Sequence, residues 1–354
     1  MAGGLAAAGL MTAGWRTRED RPLGYAMVGL GGYAEIIMGK FAGSRHSRLA
    51  GLVSGTSEKL ARFGDQCGVP DSGRYSYETF DRIADNPDID IVYVTLPNSL
   101  HAEYVIRAAR AGKHVLVEKP MATTAAEAEA MIAACREAGV KLAVGYRSRF
   151  EAANIEAIRM AQAGELGKLS VLSSEHGFNA GPGQWRLNRA LAGGGSLMDI
   201  GIYSLQAARY LTGEEPVSVT AVESTDRSDP RFAEVEDRIN FLLKFPSGVV
   251  ADCISTYSSN HNQYRIAGAD RWLDAEPATA YAGNTLRVGT PWGGSQPHAA
   301  PPTEVDQFAG MLDHVAVCAR TGAEPIISGE EGLKDMRLIE AIYRSAREGR
   351  TIAV

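Results

Sequence analysis

Short apolar runs and amphipathic stretches alternate along the first 145 residues. Residues 25–29 are apolar and end in Gly29, the pattern of a strand buried on both faces. A helical stretch runs from Glu35 to about Phe41. The rhythm continues with a strand at 49–53, a helix at 58–67, a short helix at 77–84 and a strand at 89–95. A helix at 101–111, a strand at 114–117, a helix at 125–138 and a strand at 141–144 complete it. Such alternation with short links predicts a parallel sheet covered by helices on both faces. Beyond residue 150 the pattern changes. One helix is expected at 152–163, then strands at 169–177, 217–224, 238–245 and 249–257, with a turn at Pro246, Ser247 and Gly248. Shorter strands are expected at 263–266, 271–274 and 286–288, and helices at 305–320 and 332–347. Residues 283–302, rich in Gly and Pro, read as a long loop edging a substrate site. No internal repeat interrupts this order.

Composition narrows the class. A chain of 354 residues suits two domains. Hydrophobic residues are 45% and charged residues 22%, as in a folded globular protein. A net charge of −6 offers nucleic acid no basic surface. No apolar run reaches the ~18–20 residues of a membrane span. Cys67, Cys135, Cys253 and Cys318 are too scattered to read as a metal or redox pair, so no metal is expected. Residues 1–24 hold a small apolar stretch followed by Arg16, Arg18, Glu19 and Asp20. A secretory signal would carry its basic residues first, so an arm or a disordered segment is favoured. The compartment, bacterial cytoplasm or periplasm, stays open.

The first strand runs into Gly29, Leu30, Gly31, Gly32, Tyr33 and Ala34, a G-x-G-x-x-A pattern. Gly29 permits the tight turn, Gly31 lets the backbone approach a pyrophosphate, and Ala34 lets the following helix pack close. Alone, the pattern is weak in a chain with 39 glycines. Its place directly after the first strand of an alternating unit strengthens it. At the end of the second strand, NAD sites usually carry an acidic residue for the ribose 2′-hydroxyl. Here Val53 is followed by Ser54, Gly55, Thr56, Ser57, Glu58 and Lys59. Ser54 repels no 2′-phosphate, while the hydroxyls and Lys59 can hold one, which favours NADP. A helix cap by Thr56 or Ser57, with Lys59 solvated, is the plainer alternative. Leu96, Pro97, Asn98 and His101 follow the third long strand, where a doubly wound sheet binds ligands at strand carboxyl ends. For His101 a surface position is an equal alternative.

Glu118, Lys119 and Pro120 end the strand at 114–117. A lysine at that strand's carboxyl end borders the cofactor crevice, and partial desolvation beside other cations can lower its pKa toward working pH. Asp199 and Tyr203 are four apart and share a helix face. Carboxylate, phenol and ammonium together make a proton relay for hydride transfer at a C–OH group. A capping box formed by Ser196 and Asp199 is the structural alternative. Arg147, Arg149, His176, Trp185 and Arg186 are further candidates for cofactor or sugar contact.

The stretches 29–34, 96–101, 118–120, 145–147 and 193–203 together resemble the glucose–fructose oxidoreductase / inositol dehydrogenase (Gfo/Idh/MocA) family over nearly the whole chain. Ser54 with Lys59, residues 184–187, Tyr203 itself, residues 235–238 and residues 329–332 bring it closest to the glucose–fructose or aldose–aldose oxidoreductase branch. The resemblance implies an α/β fold. Residues 25–145 would form an N-terminal Rossmann dinucleotide-binding domain. Residues 146–354 would form a C-terminal α/β domain on a large open, mostly antiparallel sheet, joining copies as a homodimer or homotetramer.

It implies NADP bound by Gly29, Gly31, Gly32, Tyr33, Ala34, Ser54, Gly55, Thr56, Lys59, Leu96, Pro97, Asn98, His101, Glu118, Lys119, Arg147, Trp185 and Arg186. A sugar would sit among Lys119, Arg149, His176, Asp199 and Tyr203. Lys119, Asp199 and Tyr203 would carry catalysis. Tyr203 would take the C1 hydroxyl proton of an aldose while hydride passes to NADP, and a second sugar would be reduced without release of the cofactor. Gly32 is a departure from relatives and alters contacts there. Residues 1–24 would be a shortened cofactor-covering arm. The competing readings are a dehydrogenase that releases its cofactor, a nicotinamide-dependent glycosidase, and a non-catalytic cofactor sensor that would need neither Lys119, Asp199 nor Tyr203.

Overall fold

The structure, a computed structural model, describes residues 21–354. Most of the expected arm, residues 1–20, lies outside the described residues.

The first half is built from β1 (Leu23–Val28), α1 (Gly32–Met38), β2 (Ser47–Val53), α2 (Ser57–Cys67), β3 (Arg74–Tyr75), β4 (Ile91–Val94), α3 (His101–Arg110), β5 (His114–Val117), α4 (Ala125–Glu137) and β6 (Leu142–Val144). The strands lie parallel in the order β3-β2-β1-β4-β5-β6. All four residues of β4 are buried, as a strand flanked by helices on both faces requires. The chain leaves β1 toward β2 on one side and later returns to β4 on the other. That reversal opens a crevice at the carboxyl ends of β1 and β4.

The expected helix at 77–84 is instead a short 3-10 turn, Phe80–Asp85. Ser76 and Thr79 account for the difference. The Ser76 amide donates to Thr79 Oγ1 at 2.9 Å, and the Thr79 amide donates to Ser76 Oγ at 3.3 Å. These local bonds satisfy backbone groups that a helix would otherwise have used.

The second half comprises α5 (Ala152–Gln162), β7 (Leu169–Gly177), α6 (Arg189–Ala192), α7 (Ile202–Thr212), β8 (Ser218–Ser224), β9 (Arg238–Lys244), β10 (Val250–Thr256), β11 (His261–Gly268), β12 (Trp272–Ala275), β13 (Arg287–Gly289), β14 (Ser295–Pro297), α8 (Gln307–Thr321), α9 (Gly329–Glu348) and β15 (Ile352–Ala353). Its strands form one sheet in the order β14-β13-β12-β11-β7-β10-β9-β8-β15. Every pairing is antiparallel except β7 with β10. β9 shows why one face is covered and the other open. Ile239, Phe241 and Leu243 are buried, and the alternate Arg238, Leu242 and Lys244 are exposed.

Residues 283–302 are not the structureless loop expected. β13 and β14 form a hairpin there that extends the far edge of the sheet. Gly289 makes the pairing possible, because a Cβ at that residue would lie 2.3 Å from the Trp272 ring. The residues that do border the cleft come just before, at Glu276, Pro277, Thr279, Ala280 and Tyr281. The C-terminal segment does not stay with the second sheet alone. Ser328 bridges to Ala143 at the edge of the first sheet, and α9 packs on α4 and β6 as well as on β8.

Candidate functional site

A cleft of about 1400 Å³ opens between the carboxyl ends of β1, β4 and β5 and the face formed by β7, α7 and the segment before α7. All the residues expected to contact cofactor or sugar line it except His101 and Arg149.

One end of the cleft is formed by the glycine turn. Gly29 has φ +91°, which only glycine adopts readily, and a Cβ there would lie 2.8 Å from the Leu96 side chain. Above Gly31 and Gly32 the space is open, with nothing within 4 Å of a Cβ built on either. A phosphate can therefore approach this backbone closely. At the end of β2, Ser54 is buried and its Oγ accepts from the Thr56 amide at 3.2 Å. Thr56 is the cap residue of α2, but neither its side chain nor that of Ser57 makes the capping bond. Lys59 is not merely solvated, since its Nζ donates to the Leu30 carbonyl in the glycine turn at 3.1 Å. Ser54, Thr56 and Lys59 thus share one rim of the cleft with no carboxylate among its lining residues there.

His101 corrects the expectation of a cofactor contact. It is fully buried, with Nδ1 3.0 Å from the Pro120 carbonyl and Nε2 2.8 Å from the Leu96 carbonyl. Both ring nitrogens face main-chain carbonyls of two loops that line the cleft, and whichever carries the proton donates, so neither turns toward the cleft. Asn98 likewise spans the two halves, donating to the Ala192 carbonyl at 2.9 Å while lining the cleft.

Lys119 leaves β5 through a cis bond to Pro120. Its Nζ lies 3.0 Å from Asp199 Oδ1 and also donates to the Asp199 main-chain carbonyl. Burial works against the Lys119 ammonium, but Asp199 and Tyr203 outweigh it, and the pKa rises above the ordinary lysine value. This overturns the expectation of a lowered value, because the nearest charge is a carboxylate rather than another cation. Nζ also stands 5.2 Å from the Tyr203 ring centroid.

Asp199 is not a helix cap. It lies in a π-helical turn, Leu197–Gly201, directly before α7. Its Oδ2 receives Arg186 Nε at 3.0 Å and the Tyr257 hydroxyl at 3.1 Å. Burial raises this carboxyl, and Lys119 and Arg186 more than offset it, leaving the pKa below the usual aspartate range. Arg186 is therefore a partner of Asp199, while Trp185 beside it lines the cleft.

Three further residues, of which only Glu236 lies in a stretch that carries the family resemblance, support this arrangement. Tyr257 is fully buried beneath Asp199. Glu236 is 1% exposed, and its carboxylate accepts from the Gly195 amide at 2.8 Å, the Leu197 amide at 3.1 Å and the Tyr343 hydroxyl at 2.8 Å. It therefore clasps the start of the turn that carries Asp199. Tyr281 stacks against Arg147, whose guanidinium carbon is 4.6 Å from the ring centroid. Position alone could flag none of them, because their partners are distant in the chain.

Arg147 is buried and donates to Gln307 Oε1 at 2.6 Å and to the Thr279 carbonyl at 2.6 Å. Beside Lys119, Glu118 accepts from the Tyr93 hydroxyl and from the Lys119 amide, and burial pushes its carboxyl up. Arg149 does not reach the cleft. Its guanidinium lies 4.1 Å over the Tyr210 ring and borders a separate surface groove. His176, on β7, faces Tyr203 with ring centroids 5.7 Å apart.

Comparison with known proteins matches the same division. Residues 23–146 match a family model described as an oxidoreductase family with an NAD-binding Rossmann fold. Residues 155–274 match the GFO/IDH/MocA C-terminal domain. The NADP(+)-dependent D-xylose 1-dehydrogenase 2 of Haloferax volcanii is 32% identical over 86% of this chain and 91% of its own. The crystal structure of aldose-aldose oxidoreductase from Caulobacter crescentus, complexed with glycerol, is 62% identical with a TM-score of 0.93, covering 94% of this chain and 100% of that one. A variant 3-ketoreductase from Actinomadura kijaniata, in complex with TDP-benzene and NADP, is 25% identical with a TM-score of 0.80, covering 92% and 98%.

Proposed function

We propose, from the premise that the chain belongs to the Gfo/Idh/MocA family of oxidoreductases, that it transfers hydride between C1 of an aldose and NADP(H). The carrying observation is the convergence of Lys119, Asp199 and Tyr203 on one wall of a cleft whose opposite end is a glycine turn with open space above it. The residues present fit a dinucleotide. Gly31 and Gly32 leave room for its pyrophosphate, and Ser54, Thr56 and Lys59 offer neutral and cationic partners to a 2′-phosphate. When bound, the nicotinamide supplies the hydride acceptor or donor.

The chain's own residues handle the proton. In the oxidative direction the C1–H bond breaks with its electron pair leaving as hydride, and the C1 hydroxyl proton passes to the Tyr203 oxygen. The Lys119 charge favours whichever oxygen, phenol or sugar, carries negative charge as that proton moves. Asp199 holds Lys119 in place, and Arg186 and Tyr257 hold Asp199. The reverse sequence protonates a carbonyl oxygen and yields an alcohol.

The likeness to an aldose-aldose oxidoreductase supports a finer reading in which NADP stays bound while one sugar is oxidised and another reduced. The test is the absorbance of protein purified without added cofactor. On this reading a near-ultraviolet nicotinamide band rises when one aldose is added and falls when a second aldehyde follows. Protein that arrives empty and turns over only with added NADP is a dehydrogenase that releases its cofactor. We also propose that copies join through the open sheet face, where Val171, Val222, Leu242 and Val250 stand 52%, 65%, 43% and 37% exposed. Sedimentation of Val222→Lys combined with Leu242→Lys should then show smaller species than the unaltered protein.

A further inference from the structure

Resting on the aldose reading above, we propose that His176 sets substrate specificity, its unpartnered Nε2 hydrogen-bonding the hydroxyl next to the one that Tyr203 handles. His176 lines the cleft from β7 and is 1% exposed. Its Nδ1 lies 2.9 Å from Ser204 Oγ. Ser204 has a single hydroxyl hydrogen, and its Oγ also lies 3.1 Å from the Ser174 carbonyl and 3.2 Å from the Ile254 carbonyl. The Ser204 hydrogen therefore goes either to one of these carbonyls, with Nδ1 carrying the ring proton, or to Nδ1, with the proton on Nε2. Ser174 Oγ also lies 3.5 Å from Nδ1. In either tautomer Nε2 is buried with no hydrogen-bond partner among the described residues.

A buried polar nitrogen without a partner is costly, and native structures keep few of them. Protonation does not relieve it. Burial, then the charges of Arg147 and His261, hold the imidazole neutral down to about 3. Arg147 does not supply the missing partner, because its guanidinium is tied to Gln307 and Thr279. What remains is a partner brought by the ligand, and a sugar hydroxyl can donate to Nε2 or accept from it. The His176 and Tyr203 rings stand 5.7 Å apart, tilted by 34°, so two adjacent hydroxyls of one sugar can meet the two side chains. With Tyr203 at the C1 hydroxyl, His176 receives the C2 hydroxyl. The substrate class is therefore aldoses with a free C2 hydroxyl, discriminated from 2-deoxy aldoses.

The holoenzyme is assayed for kcat/KM with D-glucose and 2-deoxy-D-glucose, alongside His176→Phe and His176→Gln. The unaltered protein should prefer glucose by on the order of 10- to 100-fold, the range for a buried polar group left unpaired by the analogue. His176→Phe should collapse that ratio to within about 3-fold, and His176→Gln, which keeps a hydrogen-bonding group, should fall between. Equal use of both sugars by the unaltered protein overturns the proposal, even if His176→Phe does not fold. An undiminished ratio in folded His176→Phe overturns it as well. Turnover of no aldose in a panel overturns instead the aldose reading on which it rests.

Discussion

Lys119 engages Asp199 twice, through Nζ to Oδ1 at 3.0 Å and through the same Nζ to the Asp199 main-chain carbonyl. The first contact is an ion pair, and the second is possible only because the π-helical turn presents that carbonyl toward β5. Lys119 comes from the first sheet and Asp199 from the second half, so this one ammonium also marks where the two halves meet. Its charge is held on by the carboxylate, which suits stabilising a developing oxyanion rather than accepting a proton as a neutral amine.

Lys119→Ala and Tyr203→Phe should each lower turnover by roughly 10²–10⁴-fold, the range for a lost acid–base group. Far-ultraviolet circular dichroism should stay unchanged. Near-normal rates in both folded variants would remove these residues from the chemistry.

Ser54→Asp should weaken NADP and favour NAD, since a carboxylate at the end of β2 repels a 2′-phosphate and accepts from a 2′-hydroxyl. Titrating both cofactors by fluorescence checks this. An unchanged preference would mean that Ser54, Thr56 and Lys59 do not form the 2′-phosphate rim.

Glu236→Ala should destabilise the protein by about 2–4 kcal/mol in urea unfolding, because the buried Gly195 and Leu197 amides lose their acceptor. Activity should fall further than stability explains, since the turn they anchor carries Asp199. A variant with a normal urea midpoint would show that water replaces the carboxylate.

Stability should depend on His176 in mildly acid solution. A histidine held down to about 3 in the fold favours folding fully above the ordinary histidine value of about 6.5 and loses that contribution as pH falls below it. From pH 7.5 to 5 the loss attributable to this ring is about 2 kcal/mol. Urea midpoints at the two pH values should therefore differ more in the unaltered protein than in His176→Phe. Equal differences would mean that the ring titrates normally.

The parallel sheet and its glycine turn were legible in the sequence because both depend on near neighbours. An apolar run, a glycine that must adopt positive φ and a helix behind it lie within about a dozen residues, and the order of alternation then places the crevice. Lys119, Asp199 and Tyr203 were legible as a resemblance, and the sequence determined that their chemistry was available. It did not separate the histidine that lines the cleft from the one that does not. His101, in the motif, is spent on two backbone carbonyls, while His176, in an ordinary-looking strand, keeps a free nitrogen in the cleft wall. Nor could it show that Arg186 and Tyr257 hold Asp199, that Glu236 clasps the turn beneath it, or that Arg149 turns away onto Tyr210. Those outcomes depend on hydrogen-bond partners brought together from distant parts of the chain. Whether a polar group is spent on its own fold or left for a ligand is decided only when the tertiary structure has paired all the others.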